Sequence, residues 1–207
     1  IKELTITQGA PRILTLACDI AQVLEGPASY IWRLGGSSTP KTTLIREGSF
    51  VLEVAAVSPA AREVRSGARG EPVTIFYFYA AGEAVELKTL ALQVDGNARA
   101  LTGYTLWDDT KQVGSGVLRG EHVFKAVFSA PFIIPKDGHK LLTIKGDVAS
   151  ISSESDLQVG DRTAINFDGS DNNFHLTYGV GVSSGRGIIP SIQADTAAPF
   201  ITLTSGT

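Results

Sequence analysis

The sequence predicts an all-β protein, an Ig-like antiparallel β-sandwich, and three observations carry that prediction. Short segments rich in Val, Ile, Thr and aromatic residues alternate with Gly, Pro, Asn and Asp turn signals, at about the 8–12-residue spacing of sandwich strands. No segment places its apolar residues at a helical period. The chain also repeats itself. At a constant offset Leu14-Thr15-Leu16 falls on Leu142-Thr143-Ile144, Ile6 on Ile134, and Asp19-Ile20-Ala21 on Asp147-Val148-Ala149. A fainter echo joins Phe50-Val51-Leu52 to Phe200-Ile201-Thr202-Leu203. Such spacing reads as the end of one unit, a whole unit, and the beginning of a third.

Taken in order, Leu4 to Thr7 and Ile13 to Val23 are two strands around the turn signal Gln8-Gly9-Ala10-Pro11. Side chains alternate along a strand, so Cys18 shares an apolar face with Leu14, Leu16 and Ile20. Tyr30 to Leu34 is a further strand, and Gly35 to Thr43 is a linker. Phe50 to Val57 opens the complete unit and stops at Ser58-Pro59, where proline removes a ladder donor. In Val73 to Ala81 the residues Thr74, Phe76, Phe78 and Ala80 face a core, while Ile75, Tyr77 and Tyr79 face the other way. Val85 to Val94 changes phase at Lys88-Thr89, from Val85/Leu87 to Leu90/Leu92/Val94, and one extra residue there predicts a β-bulge.

Tyr104 to Trp107 is a strand between the turns Asp95-Gly96-Asn97 and Asp108-Asp109. Val113 to Leu118 and His122 to Phe128 are expected as a hairpin around Arg119-Gly120-Glu121. Pro131 to Pro135 crosses over, Lys136-Asp137-Gly138 turns, and Leu141 to Val148 is the repeated strand. Thr163 to Phe167 and Phe174 to Val182 close the unit, and Phe200 to Thr204 ends an extended tail. The organisation expected is residues 1–43 as a partial sandwich plus linker, 44–187 as a complete sandwich, and 188–207 as a tail with a donor strand. The two flanking pieces would belong to a second sandwich shared between copies.

The 207 residues are 43% hydrophobic, enough to bury a core, and a net charge of -3 offers no electrostatic footprint for nucleic acid. No apolar run nears the roughly 18 residues of a membrane span. With no Met, Ile1 is not expected to be a translation start, so a processed or excised chain is expected. A single Cys permits no internal disulfide.

From Ser58 to Ala149 the chain carries a recurring pattern: Ser58-Pro59-Ala60-Ala61 with Val64 and Gly67, the Phe76/Phe78 strand, and Glu83, Val85, Leu87, Leu90 and Leu92. Leu106-Trp107-Asp108, Val113-Gly114-Ser115-Gly116, and Ile134-Pro135-Lys136-Asp137-Gly138 running into Leu142-Thr143-Ile144-Lys145-Gly146-Asp147 complete it. This stretch, under half of the chain, resembles the β-sandwich domains repeated in tandem in bacterial cell-surface proteins, including S-layer-like and fibre-forming ones. The resemblance implies an extracellular structural role and no chemistry. The run Phe76-Tyr77-Phe78-Tyr79 departs from it, because a more polar outer face is expected there.

Candidate chemistry is sparse. His122, His139 and His175 have no spaced partners for zinc, Cys18 belongs to an apolar row, and no Gly-x-Ser-x-Gly elbow is present. The sequence therefore predicts no catalytic residue and no enzyme. Asp168-Gly169-Ser170-Asp171-Asn172-Asn173 is the one compact oxygen-rich cluster, so Asp168 and Asp171 are the calcium candidates, although the spacing and terminal Glu of an EF-hand are missing. Trp107 beside Asp108 and Asp109 could stack on a sugar, which makes a carbohydrate-binding or adhesive module the rival reading, with cell-surface glycans as partners. The leading expectation is a subunit of an extracellular filament or surface layer that joins copies of itself head to tail by strand complementation. Leu4, Ile6, Leu14, Leu16, Tyr77, Tyr79, Phe200, Ile201 and Leu203 would form its interface.

Overall fold

A computed structural model describes residues 28–32, 41–45, 48–153, 155–168, 177–192 and 197–206. Two strands, β1 (Ala28–Trp32) and β2 (Lys41–Ile45), pair with each other antiparallel as a two-stranded sheet. Then follow β3 (Ser49–Val54), β4 (Arg62–Arg65), β5 (Glu71–Ala81), β6 (Val85–Gly96), a 3-10 turn at Ala98–Ala100, β7 (Leu101–Asp108) and β8 (Lys111–Val117). The remaining strands are β9 (Val123–Ala126), β10 (Phe132–Ile134), β11 (Gly138–Val148), β12 (Arg162–Phe167), β13 (Tyr178–Gly181), β14 (Gly187–Ile188), β15 (Ser191–Ile192) and β16 (Ile201–Thr204).

Two sheets stack as an all-β sandwich. One has the order β15-β3-β5-β11-β7-β8; the other runs β14-β13-β6-β12-β16-β4, with β9 and β10 also pairing with β6. Pairing is antiparallel except for β15 with β3 and β16 with β4. Period-2 alternation builds the core, as expected: Phe76 and Phe78 of β5 and Leu142 and Ile144 of β11 are fully buried, facing Leu90, Leu92, Ile165 and Phe132 of the other sheet. Ile75, Tyr77 and Tyr79 lie on the outer face, half-buried. Thr74 is buried too, and its hydroxyl crosses the core to donate to the Ile165 carbonyl at 2.6 Å. That bond satisfies a polar group which would otherwise cost about 1–3 kcal/mol.

The expected bulge in β6 is present. Tyr178 pairs with Thr89 but Gly179 pairs with Leu87, so Lys88 is the extra residue and its side chain turns outward. β8 and β9 do not form the expected hairpin. β8 pairs with β7 in one sheet and β9 with β6 in the other, so the Arg119-Gly120-Glu121 turn carries the chain between layers. Turn chemistry reverses the chain but does not choose the edge that the returning strand meets.

The C-terminal strand requires a larger correction. β16 belongs to this chain's own sandwich, antiparallel to β12 on one side and parallel to β4 on the other. Ile201 is 2% exposed and Leu203 0%, so the row expected to seek a neighbouring copy fills the local core instead. β15 lies beyond residue 187 as well, alongside β3, so the sandwich body extends from Ser49 to Thr204 rather than ending at 187.

The sandwich has two poles. At one, Ser49 pairs with Ala81, the Asp137 carboxylate accepts from the Gly82 N–H at 2.9 Å, and Val182 donates to Ala84 at 2.8 Å. The opposite pole gathers Gly67, bonded to Ala149 at 3.1 Å, Asn97, bonded to Arg162 at 2.8 Å, and Gly160, bonded to Leu203 at 2.9 Å. The 12-residue β6 runs from the first pole to the second, roughly 35 Å at strand rise. The chain enters the body at the first pole through Ser49 and leaves at the second through Thr204.

Candidate functional site

Three places on the described surface have the residues for recognition or for anchoring. The first is an open cleft of about 450 Å³ at the exit pole, lined by Gly96, Asn97, Arg99, Gly120, His122 and Asp156. Local sequence builds it. Asn97 caps the 3-10 turn by accepting the Arg99 N–H at 3.1 Å, and its side-chain amide donates to Asp161 at 3.0 Å. Gly96 has φ +79, and a Cβ there would stand 2.2 Å from the Arg162 carbonyl oxygen, so only glycine turns the chain there without displacing β12. Arg99 forms an ion pair with Asp156 across the cleft. Both partners are well exposed, so the pair adds little to stability.

On another wall of the cleft, His122 Nδ1 lies 3.1 Å from the Val94 carbonyl oxygen. A carbonyl can only accept, so Nδ1 carries a proton and Nε2 is the ring nitrogen left for another partner. Next to it, the Arg119 N–H donates to the Glu121 carboxylate at 2.6 Å. That bond and Glu121's own backbone N–H, followed by the Arg119 charge, hold the carboxyl below its usual range.

The second place is the outer face of the β15-β3-β5-β11-β7-β8 sheet. Tyr77 and Tyr79 stand side by side with Leu141 and His139 across the ladder, and the Tyr77 ring stacks on His139 with centroids 5.4 Å apart. Further along, the Lys145 ammonium sits 4.0 Å above the Trp107 ring, and the indole N–H donates to the Thr105 hydroxyl at 2.8 Å. A cation over the indole is attracted by its π face. It also covers one of the two faces on which a sugar ring could stack. The two aromatic clusters lie on one face, and both this and the lysine cover came only with the pairing of β11 with β5 and β7.

The third place is at the entry pole. Glu83, 5% exposed, accepts the Ser183 and Ser184 N–H groups at 3.0 and 2.9 Å through one oxygen and the Ser184 hydroxyl at 2.7 Å through the other. It fastens the β13–β14 turn to the turn between β5 and β6. Sequence reasoning missed this role: in Ala81-Gly82-Glu83-Ala84 the glutamate stands among small residues, and its partners are 100 positions away. Glu83→Ala is expected to destabilise the sandwich by about 1–3 kcal/mol, because two part-buried N–H groups and the Ser184 hydroxyl lose their acceptor. Urea denaturation of the purified variant measures it, and an unchanged midpoint would contradict the anchoring role.

The other expected site residues are placed as follows. Leu4, Ile6, Leu14, Leu16, Cys18, Asp171 and His175 lie outside the described residues. Asp168 is 2% exposed, with its N–H donating to the Ala91 carbonyl at 3.1 Å, and the loop that follows it lies outside the described residues. Among the described residues no three His, Cys, Asp or Glu side chains converge as metal ligands. Phe200 is partly buried beneath the Arg162 guanidinium, 4.5 Å from its ring centroid, next to the buried Ile201 and Leu203. No helix among the described residues is long and apolar enough to cross a membrane. No protein-family model matches the chain, and no curated protein sequence matches it.

Proposed function

We propose that this protein is a non-enzymatic structural module of an extracellular filament or surface layer, and that its partners are further copies or similar modules joined head to tail. The observation that carries this reading is the pole-to-pole path of the chain: it enters through Ser49 beside Ala81 and leaves through Thr204 beside Arg65, at opposite ends of the sandwich. Modules entered and left at opposite ends string into a line with each strand axis along the line, and a heterologous contact of that kind builds an open filament. The stripe of half-buried Tyr77 and Tyr79 with exposed Leu141 supports lateral contact between such lines, since contiguous apolar groups at the surface mark interfaces.

The strand complementation assigned to Phe200–Leu203 no longer applies, because that strand is satisfied at home. The β1–β2 sheet is where a neighbour's strand would add. Two strands alone are marginal in water, and among the described residues these two pair only with each other. Negative-stain microscopy of the purified full chain tests the proposal: filaments or sheets are expected, and a monodisperse particle that stays single at high concentration overturns it. Tyr77→Ser/Tyr79→Ser should thin bundles or sheets to single lines, the outcome that assigns the stripe to lateral contact.

A further inference from the structure

We propose that the sandwich is a load-bearing link whose β4 and β16 strands form a clamp loaded in shear. The inference rests on the reading that modules are joined through their poles, and it states what the joint between sheets must then withstand.

The strand directions carry the argument. β3 begins at the entry pole and runs toward the exit pole, as does β4, the next strand in the chain. β16, the last, runs the same way. Tension between the poles therefore drags the β3–β4 segment back toward the entry pole and β16 out through the exit pole. β4 and β16 are parallel neighbours in register from Arg62 and Ile201 to Arg65 and Thr204. The opposed pulls act along their shared axis, so the strands can part only by sliding. The ladder hydrogen bonds of a parallel pair run across the strands at a slant and at even spacing. Sliding therefore strains the ladder together with its end bonds, Arg62 N–H to the Phe200 carbonyl at 3.3 Å and Ser66 N–H to the Thr204 carbonyl at 3.1 Å, and the side-chain bond from the Thr204 hydroxyl to the Val64 carbonyl at 3.3 Å. A hairpin pulled from its open end loses its bonds singly.

The core locks the register as well. Val64, Ile201 and Leu203 point inward and are 4%, 2% and 0% exposed. A slip of β16 by one residue would turn Ile201 and Leu203 to the solvent face, because side chains alternate. β12 holds the other side of β16, where the Leu203 N–H donates to Asp161 at 2.8 Å and Gly160 donates back to Leu203 at 2.9 Å. The entering strand is also built to be sheared rather than peeled: β3 pairs with β5 over six positions and buries Phe50, Leu52 and Val54.

Single-molecule pulling of the full chain tests this, in a Cys18→Ser background with handles either at the two chain ends or at Arg69→Cys and the C-terminus. Arg69 lies just past β4 at the exit pole, so the second geometry peels β16 from β4. Rupture of the body is recognised by a contour gain of about 500 Å. Forced unfolding is governed by the unfolding barrier, and the end-to-end force should exceed the same-pole force by about twofold or more at equal loading rate. Ser66→Pro, which deletes the N–H given to Thr204, should lower the end-to-end force. Glu63→Pro, at the alternate position whose N–H faces away from β16, should leave it unchanged.

Equal forces in the two geometries would overturn the clamp, and so would an unaltered force in a folded Ser66→Pro. If that variant does not fold, the comparison of geometries on the unmutated clamp decides alone. Microscopy of the same preparations separates the two ideas. Filaments without directional strength defeat the clamp only, and directional strength without filaments defeats the assembly reading only.

Discussion

Leu203→Ala is expected to lower the stability of the sandwich by about 2–5 kcal/mol, the cost of emptying a fully buried leucine site. Leu203 is 0% exposed and lies between β4 and β12, and the same strand satisfies backbone groups on both of its edges. Removing residues 200–207 altogether should abolish cooperative unfolding, since it leaves β12 and β4 as open edges over an uncovered core. Denaturant melts read by intrinsic fluorescence measure both. A Leu203→Ala chain as stable as its parent would mean that β16 is not part of this body, which would restore the donor-strand role assigned to it from sequence. The experiment therefore decides a functional point through a stability measurement.

Phe78→Ala is expected to cost about 3–5 kcal/mol, and Phe78→Leu distinctly less. Phe78 is fully buried, with its ring edge-on to Phe132 at 5.5 Å, and the two come from opposite sheets: β5 in one, β10 in the other. Such aromatic pairs add about 0.5–1.5 kcal/mol beyond the area they bury. Phe132 in turn lies 6.2 Å from Phe128 and carries the Lys140 ammonium 4.7 Å from its ring centroid, so truncating Phe78 also loosens the crossover between β9 and β11. A double-mutant cycle of Phe78→Leu and Phe132→Leu should give a coupling above about 0.5 kcal/mol; additivity would remove the pair from the account.

Much of the sandwich was legible because it is encoded locally. Alternation in β5 assigned Phe76 and Phe78 to the core and Tyr77 and Tyr79 to the outer face, and the structure has them so. The doubled step at Lys88-Thr89 announced the bulge, and Lys136-Asp137-Gly138 announced a turn in which Asp137 takes φ 50 and its carboxylate accepts from Gly82. The candidate sites were less legible. Nothing near Asn97, Arg99 and Asp156 marks a cleft, because the cleft exists only where the loops after β6, β8 and β11 meet at one pole. Tyr104 illustrates the same limit. Its hydroxyl accepts from the Val127 N–H at 3.1 Å and donates to the Lys125 carbonyl at 3.3 Å. Burial pushes its pKa above the ordinary value of 10.0, with the Val127 bond acting weakly the other way. A Cβ at Gly116, the residue opposite it in β8, would stand 2.5 Å from that hydroxyl. None of these partners is a sequence neighbour.

By itself the sequence determined the fold class, the inward and outward sets of β5 and β6, and turns such as Lys136-Asp137-Gly138, all of which depend on residues within a few positions of each other. Which edge each strand would join was decided only in three dimensions. Backbone donors and acceptors are the same in every strand, so β9 could leave β8 for β6, and β16 could close its own sandwich instead of offering itself to another. Partner choice rests on which long-range arrangement buries Ile201, Leu203 and Phe132 together, a quantity that no short stretch of the chain contains.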